Sequence, residues 1–308
     1  VPELPDVELY LHALRPRIVG SRLDRIRIGS PFLLRTVEPG IEALEGRHVR
    51  ALSRLGKRIV WHLEDELFVV IHLMIAGRFR WKASGAAIPA KVGLAAFDFP
   101  AGALLLTEAG AKRRASMHVV RGPTALAALD PGGLDVLTSS IDEFAAAITS
   151  EHHTLKRALT DPRLLDGIGN AYSDEILFEA RLSPMQLTSR LDREQIARLR
   201  DAAVRVLTTW KDALIAEARD EFPEKVTAFR AGMAAHGRWG KPCPVCATPI
   251  QRIRYASNEA NYCPTCQTGG RLLADRALSR LLKEDWPRSL EELEQHKSAR
   301  RASGIRRT

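Results

Sequence analysis

Apolar positions along this chain change their period near residue 122. Before that point, Leu23–Ile28 is rich in β-forming residues, Ile59, Trp61 and Leu63 alternate with smaller or polar neighbours, and Phe79 and Trp81 alternate with Arg78, Arg80 and Lys82. A two-residue period predicts half-buried strands. Leu67–Leu73 is a continuous apolar run, read as a further strand. Together with Val92–Phe99, Ala103–Thr107 and Ser116–Val120 these make seven or eight short strands, enough for a β-sandwich or flattened barrel. One helix precedes them, from Pro5 to about Leu14. Pro5 suits a first-turn position, and Asp6 complements the positive end of the helix dipole.

The strand period stops at Arg121–Gly133, where Gly122, Pro123, Pro131, Gly132 and Gly133 concentrate. Helical spacing follows: Phe144 and Ile148 mark one helix, Leu155–Leu159 another, and Ala171–Arg181 a third. Arg193–Arg219 is a long fourth, with Ile196, Leu199, Ala203, Leu207, Trp210 and Leu214 on one face. Leu272–Lys283 is a further helical stretch. Between the second and third helices, Asp166-Gly167-Ile168-Gly169-Asn170 predicts a tight turn exposing backbone N–H groups, with Asn170 as N-cap. Taken alone, such a motif is more often an ordinary interhelical turn with a cap.

All four cysteines lie in one stretch: Cys243, Cys246, Cys263 and Cys266, two C-x-x-C pairs separated by sixteen residues. Two such knuckles on a β-hairpin close a tetrahedral, structural Zn²⁺ site with no open coordination position. Two disulfides are the alternative, disfavoured for adjacent C-x-x-C pairs in a chain that shows no export signal. Reduced thiols and the absence of a long apolar run point to the cytosol and away from membranes. The formal charge of +9 is compatible with a polyanionic partner, but Lys297, Arg300, Arg301, Arg306 and Arg307 supply five of those charges in a tail read as a disordered basic arm. The body is only modestly basic. His152 and His153 read as surface residues, and Asp174 and Glu175 as structural or solvated.

The opening PELPDVE (Pro2–Glu8), Lys57 in LGKRIV, HLMIAG (His72–Gly77), KRR (Lys112–Arg114), LLDGIGNAYSDEILFEARLSP (Leu164–Pro184) and the four-cysteine hairpin occur in this order. In this, the chain resembles the formamidopyrimidine-DNA glycosylase / endonuclease VIII family from Pro2 to about Gln267. The resemblance implies an α+β fold with an N-terminal β-sandwich domain with a leading helix (1–130), a helical domain with a helix–two-turn–helix (134–235), a four-cysteine zinc-finger hairpin (236–270), and a helical extension with a basic tail (271–308). It implies a monomeric, cytoplasmic base-excision repair enzyme that binds double-stranded DNA containing oxidised bases or abasic sites and carries one structural Zn²⁺. The nucleophile is then the Pro2 amine, with Glu3 as general acid/base and Lys57 reaching phosphates beside the lesion from a strand. Val1 is expected to be a GTG start translated literally, so that processing frees Pro2. The base-gap wedge falls on Ile75, with Met74 where the family often has glycine. The inserted arginine falls on Arg113, beside Arg114, and Lys156 and Asn170 take phosphate-holding positions.

Two positions depart from the family pattern. Ala115 stands where the purine-specific branch usually has phenylalanine, removing a stacking surface of roughly 1–3 kcal/mol. Asn258 stands where the zinc hairpin usually carries arginine, losing charge and bidentate reach, with Arg252 and Arg254 as compensating candidates. Besides a bifunctional glycosylase/AP lyase, two other readings are a catalytically weak or inactive damaged-DNA-binding protein and an RNA-associated zinc-ribbon protein. The last does not explain the PEL opening or the Gly-rich turn.

Overall fold

The computed structural model describes residues 2–110, 112–227, 229–254, 259–274 and 287–302. The chain forms two compact units, Val1–Leu137 with Asp166–Ile168 and Leu207–Ala228, and Thr138–Leu165 with Gly169–Val206 and Phe229–Thr308.

In the first unit, α1 (Leu4–Ile18) leads into eight strands: β1 (Arg25–Ile28), β2 (Val49–Leu55), β3 (Arg58–Leu63), β4 (Leu67–His72), β5 (Gly77–Lys82), β6 (Gly93–Phe99), β7 (Gly102–Glu108) and β8 (Ser116–Arg121). They form two four-stranded antiparallel sheets, ordered β1-β6-β7-β5 and β2-β3-β4-β8. Ile59, Trp61, Leu67, Val69, Ile71, Met117 and Val119 of the second sheet join Phe79, Phe97, Phe99, Leu104 and Leu106 of the first in one core, sealed by Val7, Tyr10, Leu14 and Ile18 of α1. The alternate residues Val60, Phe68, Val70 and Val120 form a second cluster, capped by Leu126 of α2 (Pro123–Ala127) and by Leu129. Covering on both faces explains the unbroken apolar run at β4.

Strand β2 escaped the reading from periodicity. Its register shifts between Val49 and Ala51, and such a bulge breaks the alternation that marks a strand. Helix α1 runs four residues past Leu14, with Pro16 inside its last turns.

The second unit contains α3 (Ile141–Thr149), α4 (Leu155–Thr160), α5 (Asn170–Glu179) and most of the long α6 (Arg193–Ala218). Ser140 caps α3 in a capping box with Glu143. The antiparallel hairpin β9 (Gln251–Arg254) and β10 (Glu259–Tyr262) is followed by α7 (Pro264–Thr268) and α8 (Leu290–Ala302). The expected helix at 272–283 lies mostly outside the described residues. The tail read as a disordered arm needs correction in part, because the α8 backbone takes in residues 297–302. Among the described residues, no helix is long and apolar enough to cross a membrane.

Candidate active site, nucleic-acid contacts and zinc centre

Pro2 and Glu3 are buried at the start of α1, with Glu3 only 2% exposed. Glu3 is the helix N-cap and forms a capping box with Asp6, whose Oδ2 accepts the Glu3 N–H at 2.9 Å. A carboxylate is favoured there by the positive end of the helix. The backbone is then pinned by Leu4 N–H donating to Gly167 O at 2.8 Å. Gly167 has φ +74°, and a Cβ on it would lie 2.8 Å from Leu4 Cβ. Only glycine fits this approach without displacement.

Arg54 organises the surroundings. Its side chain is 9% exposed, donates from Nη1 to Asp166, and pairs with Asp135 at 2.5 Å and Glu8 at 3.4 Å. Burial pushes the Asp166 carboxyl above its ordinary range, and the Arg54 charge opposes that shift. Lys57 follows in the two-residue Gly56–Lys57 turn between β2 and β3, not on a strand as expected, with Gly56 at φ +65°. A Gly-X pair is a favoured two-residue hairpin turn. Burial lowers the Lys57 pKa, while the charges of Glu3 and Asp166 hold it up. The structure thus brings Lys57 and Glu3 into one electrostatic environment.

Pairing of Gly77 with Glu108 and of His72 with Ser116 places the β4–β5 and β7–β8 connections at one end of the sandwich, and pairing of Arg58 with His72 brings the Lys57 turn to the same end. Ile75, 56% exposed, stands in the β4–β5 turn beside Met74 at φ +52°, a left-handed conformation that costs a non-glycine residue about 1 kcal/mol or more. Arg113 and Arg114 are exposed in the β7–β8 loop, and Arg113 donates to Lys91 O. Ala115, standing where the family usually has phenylalanine, supplies no stacking surface. It is 4% exposed, belongs to the core, and its N–H donates to Glu108 Oε2 at 3.0 Å, as that of Arg114 does at 2.9 Å. Glu108, buried at the end of β7, is the clamp of this loop, and no local sequence signal marks it. His72 is held neutral: burial, then Arg58, Lys57 and His118, lower its pKa to about 4.

In the second unit, Lys156 is 6% exposed, and its Nζ donates to Asn170 O and to Asp174 Oδ1, each at 2.6 Å. Asp174, fully buried, also meets His236 Nδ1 at 2.8 Å and accepts from Asn261 Nδ2 at 3.2 Å. The neighbouring Glu175 accepts three backbone N–H groups, from Ala234, Ala235 and His236, at 2.7–2.9 Å. Asp174 and Glu175 are therefore structural, in line with the sequence reading. Asn170 is the first residue of α5 and Gly169 its N-cap, which corrects the expected capping role of Asn170. Gly167, Ile168 and Gly169 are buried, so the turn exposes less backbone than its glycines imply. His153 is not a plain surface residue. Its Nε2 pairs with Glu151 at 2.7 Å, and Arg163 pairs with Glu151 and Asp161 beside it. A guanidinium already pairs with both carboxylates of this group.

The four cysteine sulfurs lie within 4.8 Å of one another, with Cys246–Cys263 at 3.4 Å, Cys246–Cys266 at 3.5 Å and Cys243–Cys266 at 3.9 Å. Four thiolates at about 2.3 Å from a central ion produce separations of this size, so the residues fit one structural Zn²⁺. Arg252 lies 3.9 Å over the Trp239 ring and pairs with Glu259 at 3.3 Å, whereas Arg254 is exposed. Asn258 lies outside the described residues.

Residues 1–114 match the model described as the formamidopyrimidine-DNA glycosylase N-terminal domain, 133–214 the formamidopyrimidine-DNA glycosylase H2TH domain, and 240–269 the zinc finger found in FPG and IleRS. The chain is 32% identical to the formamidopyrimidine-DNA glycosylase of Variovorax paradoxus over 287 residues, covering 87% of this chain and 100% of that protein. Among solved structures, it resembles a Lactococcus lactis formamidopyrimidine-DNA glycosylase non-covalently bound to DNA containing an AP site, at 25% identity and TM-score 0.74, covering 86% of this chain and 99% of that one. It also resembles MutM in complex with DNA containing carbocyclic 8-oxo-G, at 25% identity and TM-score 0.74, covering 87% of this chain and 100% of that one. Fold, zinc hairpin and matched length agree, and the chain belongs to the formamidopyrimidine-DNA glycosylase family of DNA-repair proteins.

Proposed function

We propose that this DNA glycosylase is bifunctional, releasing an oxidised base from duplex DNA and then cleaving the strand as an AP lyase. The observation that carries this reading is the burial of Pro2 and Glu3 at the start of α1, pinned by the Leu4–Gly167 hydrogen bond, with the Glu3 charge felt by Lys57. With its amine free, Pro2 attacks C1′ of the damaged nucleotide, and the glycosidic bond breaks as the base takes up a proton. The sugar ring opens with O4′ protonated by Glu3, leaving a cationic iminium between Pro2 N and C1′. A secondary amine reaches this cation without further proton loss. The iminium acidifies the C2′ hydrogens, and loss of one of them expels the 3′ phosphate by elimination. An α-amino group titrates near neutrality, so a useful fraction is free base at physiological pH. This chemistry requires that no residue remain acylated onto Pro2.

Lys57 is suited to a phosphate beside the lesion, Ile75 to the gap left by an extruded base, and Arg113 with Arg114 to the opposite strand. Asn170 and Asn258 complete the proposed DNA contacts. Lys156 supports Asn170 from behind, through the 2.6 Å bond to its carbonyl. DNA containing formamidopyrimidine, 8-oxoguanine or oxidised pyrimidine is the substrate class. The reading is tested by cleavage of abasic and 8-oxoguanine duplexes by the wild-type protein and a Pro2→Gly variant. Activity is expected in the first and loss of about 10²-fold or more in the second. Equal rates would reject the proline assignment.

A second reading, a damaged-DNA-binding protein with weak catalysis, rests on the sequence alone, in which Ala115 supplies no aromatic side chain. Binding of abasic duplex by a wild-type protein that cuts none would select it.

A further inference from the structure

A cavity of about 920 Å³ opens at the C-terminal end of α1, lined by residues of α1, the start of β2 and the segment after α6, all within the first unit. Strand β2 reaches the Lys57 turn only at its other end, and α1 carries Pro2 and Glu3 at its other end, roughly 20 Å away along a fifteen-residue helix. The cavity is therefore separate from the candidate active site. Ala13, Pro16, Val19 and Leu52 give it apolar lining, with Val19 39% exposed. Arg15, Arg17, Arg50 and Arg219 also line it, with His12. The one carboxylate among the lining residues is Asp220.

These guanidiniums are mostly uncompensated. Among the described residues, neither Arg15 nor Arg219 has an ion-pair partner, whereas Arg50 pairs with Glu64. Arg17 is fixed without a carboxylate: it donates to Ala13 O at 2.7 Å and Asp220 O at 2.6 Å, and lies 5.5 Å from the Phe222 ring centroid. Arg219 follows the last turn of α6 at φ +49°, a position that glycine occupies without strain. Basic residues after helix C-termini complement the dipole, which accounts for some of this charge. It does not account for an apolar-lined concavity between them.

Four arginines around an apolar floor are complementary to acidic side chains flanking an apolar anchor. A phosphodiester backbone would match the charge and leave the floor uncovered. We propose that this cavity is a docking groove for an acidic peptide segment of a partner protein, carrying an apolar residue that fills the floor.

The test is fluorescence anisotropy on the full zinc-loaded chain, with a labelled peptide of five acidic residues around a Leu-Phe pair. Saturable binding below about 100 μM is expected, weakened about tenfold or more by Arg15→Glu with Arg219→Glu, and likewise by Ser-Ser in place of Leu-Phe. Unchanged melting and abasic-duplex cleavage by the double variant show that it is folded, and Arg15→Gln with Arg219→Gln serves if it is not. No saturable binding, equal binding by the variant, or equal binding of the Ser-Ser peptide would each overturn the proposal. So would displacement of the peptide by undamaged duplex, which would make the groove a nucleic-acid surface, or arginine-dependent self-association, which would assign it to a second copy.

Discussion

Around Arg54 in the first unit and around Asp174 in the second, the chain buries a charge and surrounds it with opposite charge, yet the two arrangements differ in balance. Arg54 gathers three carboxylates, Glu8, Asp135 and Asp166, so acid is in excess there. Lys57 sits beside that excess, in a turn, with its pKa lowered by burial. Asp174 instead holds Lys156 on one oxygen, with His236 and Asn261 on its second, so one carboxylate meets one ammonium there. Two lysines with similar sequence credentials therefore land in different chemistry. Lys57 lies in a turn among the charges of Glu3 and Asp166, and Lys156 is part of the scaffold beneath Asn170.

The largest test of this contrast is zinc removal. A four-cysteine site contributes on the order of 10 kcal/mol to the fold around it. Chelation is expected to abolish DNA binding and unfold the hairpin, while the sandwich, reported by near-ultraviolet signals of the buried Trp61, melts within a few degrees of its zinc-loaded value. Simultaneous melting of both units would show that they are one cooperative body. Next in size is Asp174→Ala, which leaves the Lys156 ammonium buried with only a carbonyl and is expected to cost about 3–5 kcal/mol in denaturant unfolding. Lys57→Met is expected to cost less than about 1 kcal/mol while reducing cleavage of damaged duplex strongly. Equal destabilisation by the two variants would erase the distinction.

Much of the fold was legible because it rests on periodicity: seven of the eight sandwich strands, α1, α3 to α6 and the zinc hairpin follow from local pattern. What escaped was long-range. Arg54 and Asp166 are 112 residues apart, and Asn261 and Asp174 are 87 apart, so neither hub has a local signature. Periodicity also gave no sign that Asp166–Ile168 packs with the first unit and Gly169 with the second. Placement of the site residues came from the family resemblance, which named positions but not surroundings. It therefore gave Lys156 a phosphate, where the fold buries its ammonium against Asp174.

Smaller effects sharpen the picture. Gly167→Ala forces a Cβ to within 2.8 Å of Leu4 at a left-handed φ, and is expected to cost about 2 kcal/mol and to depress abasic-site cleavage beyond that loss of stability. Wild-type cleavage in a folded variant would separate the Leu4–Gly167 contact from the placement of Pro2. A pH dependence is also expected at His72. Its folded pKa of about 4 lies below the ordinary 6.5, so the unfolded chain binds more protons between those values. Stability carried by His72 is thus complete above about pH 6.5 and declines as pH falls towards 4. His72→Asn should flatten that slope, leaving the weaker contributions of His62 and His118, which are also lowered. An unchanged slope would remove the Lys57 end of the sandwich as its source.

The most direct measurement is borohydride reduction of the protein on an abasic duplex, followed by peptide mapping of the adduct. The proposed chemistry predicts one covalent bond, from deoxyribose C1′ to the nitrogen of Pro2 at the free N-terminus of the mature chain. An adduct on Lys57 or another lysine, or none from protein that binds the duplex, would contradict it.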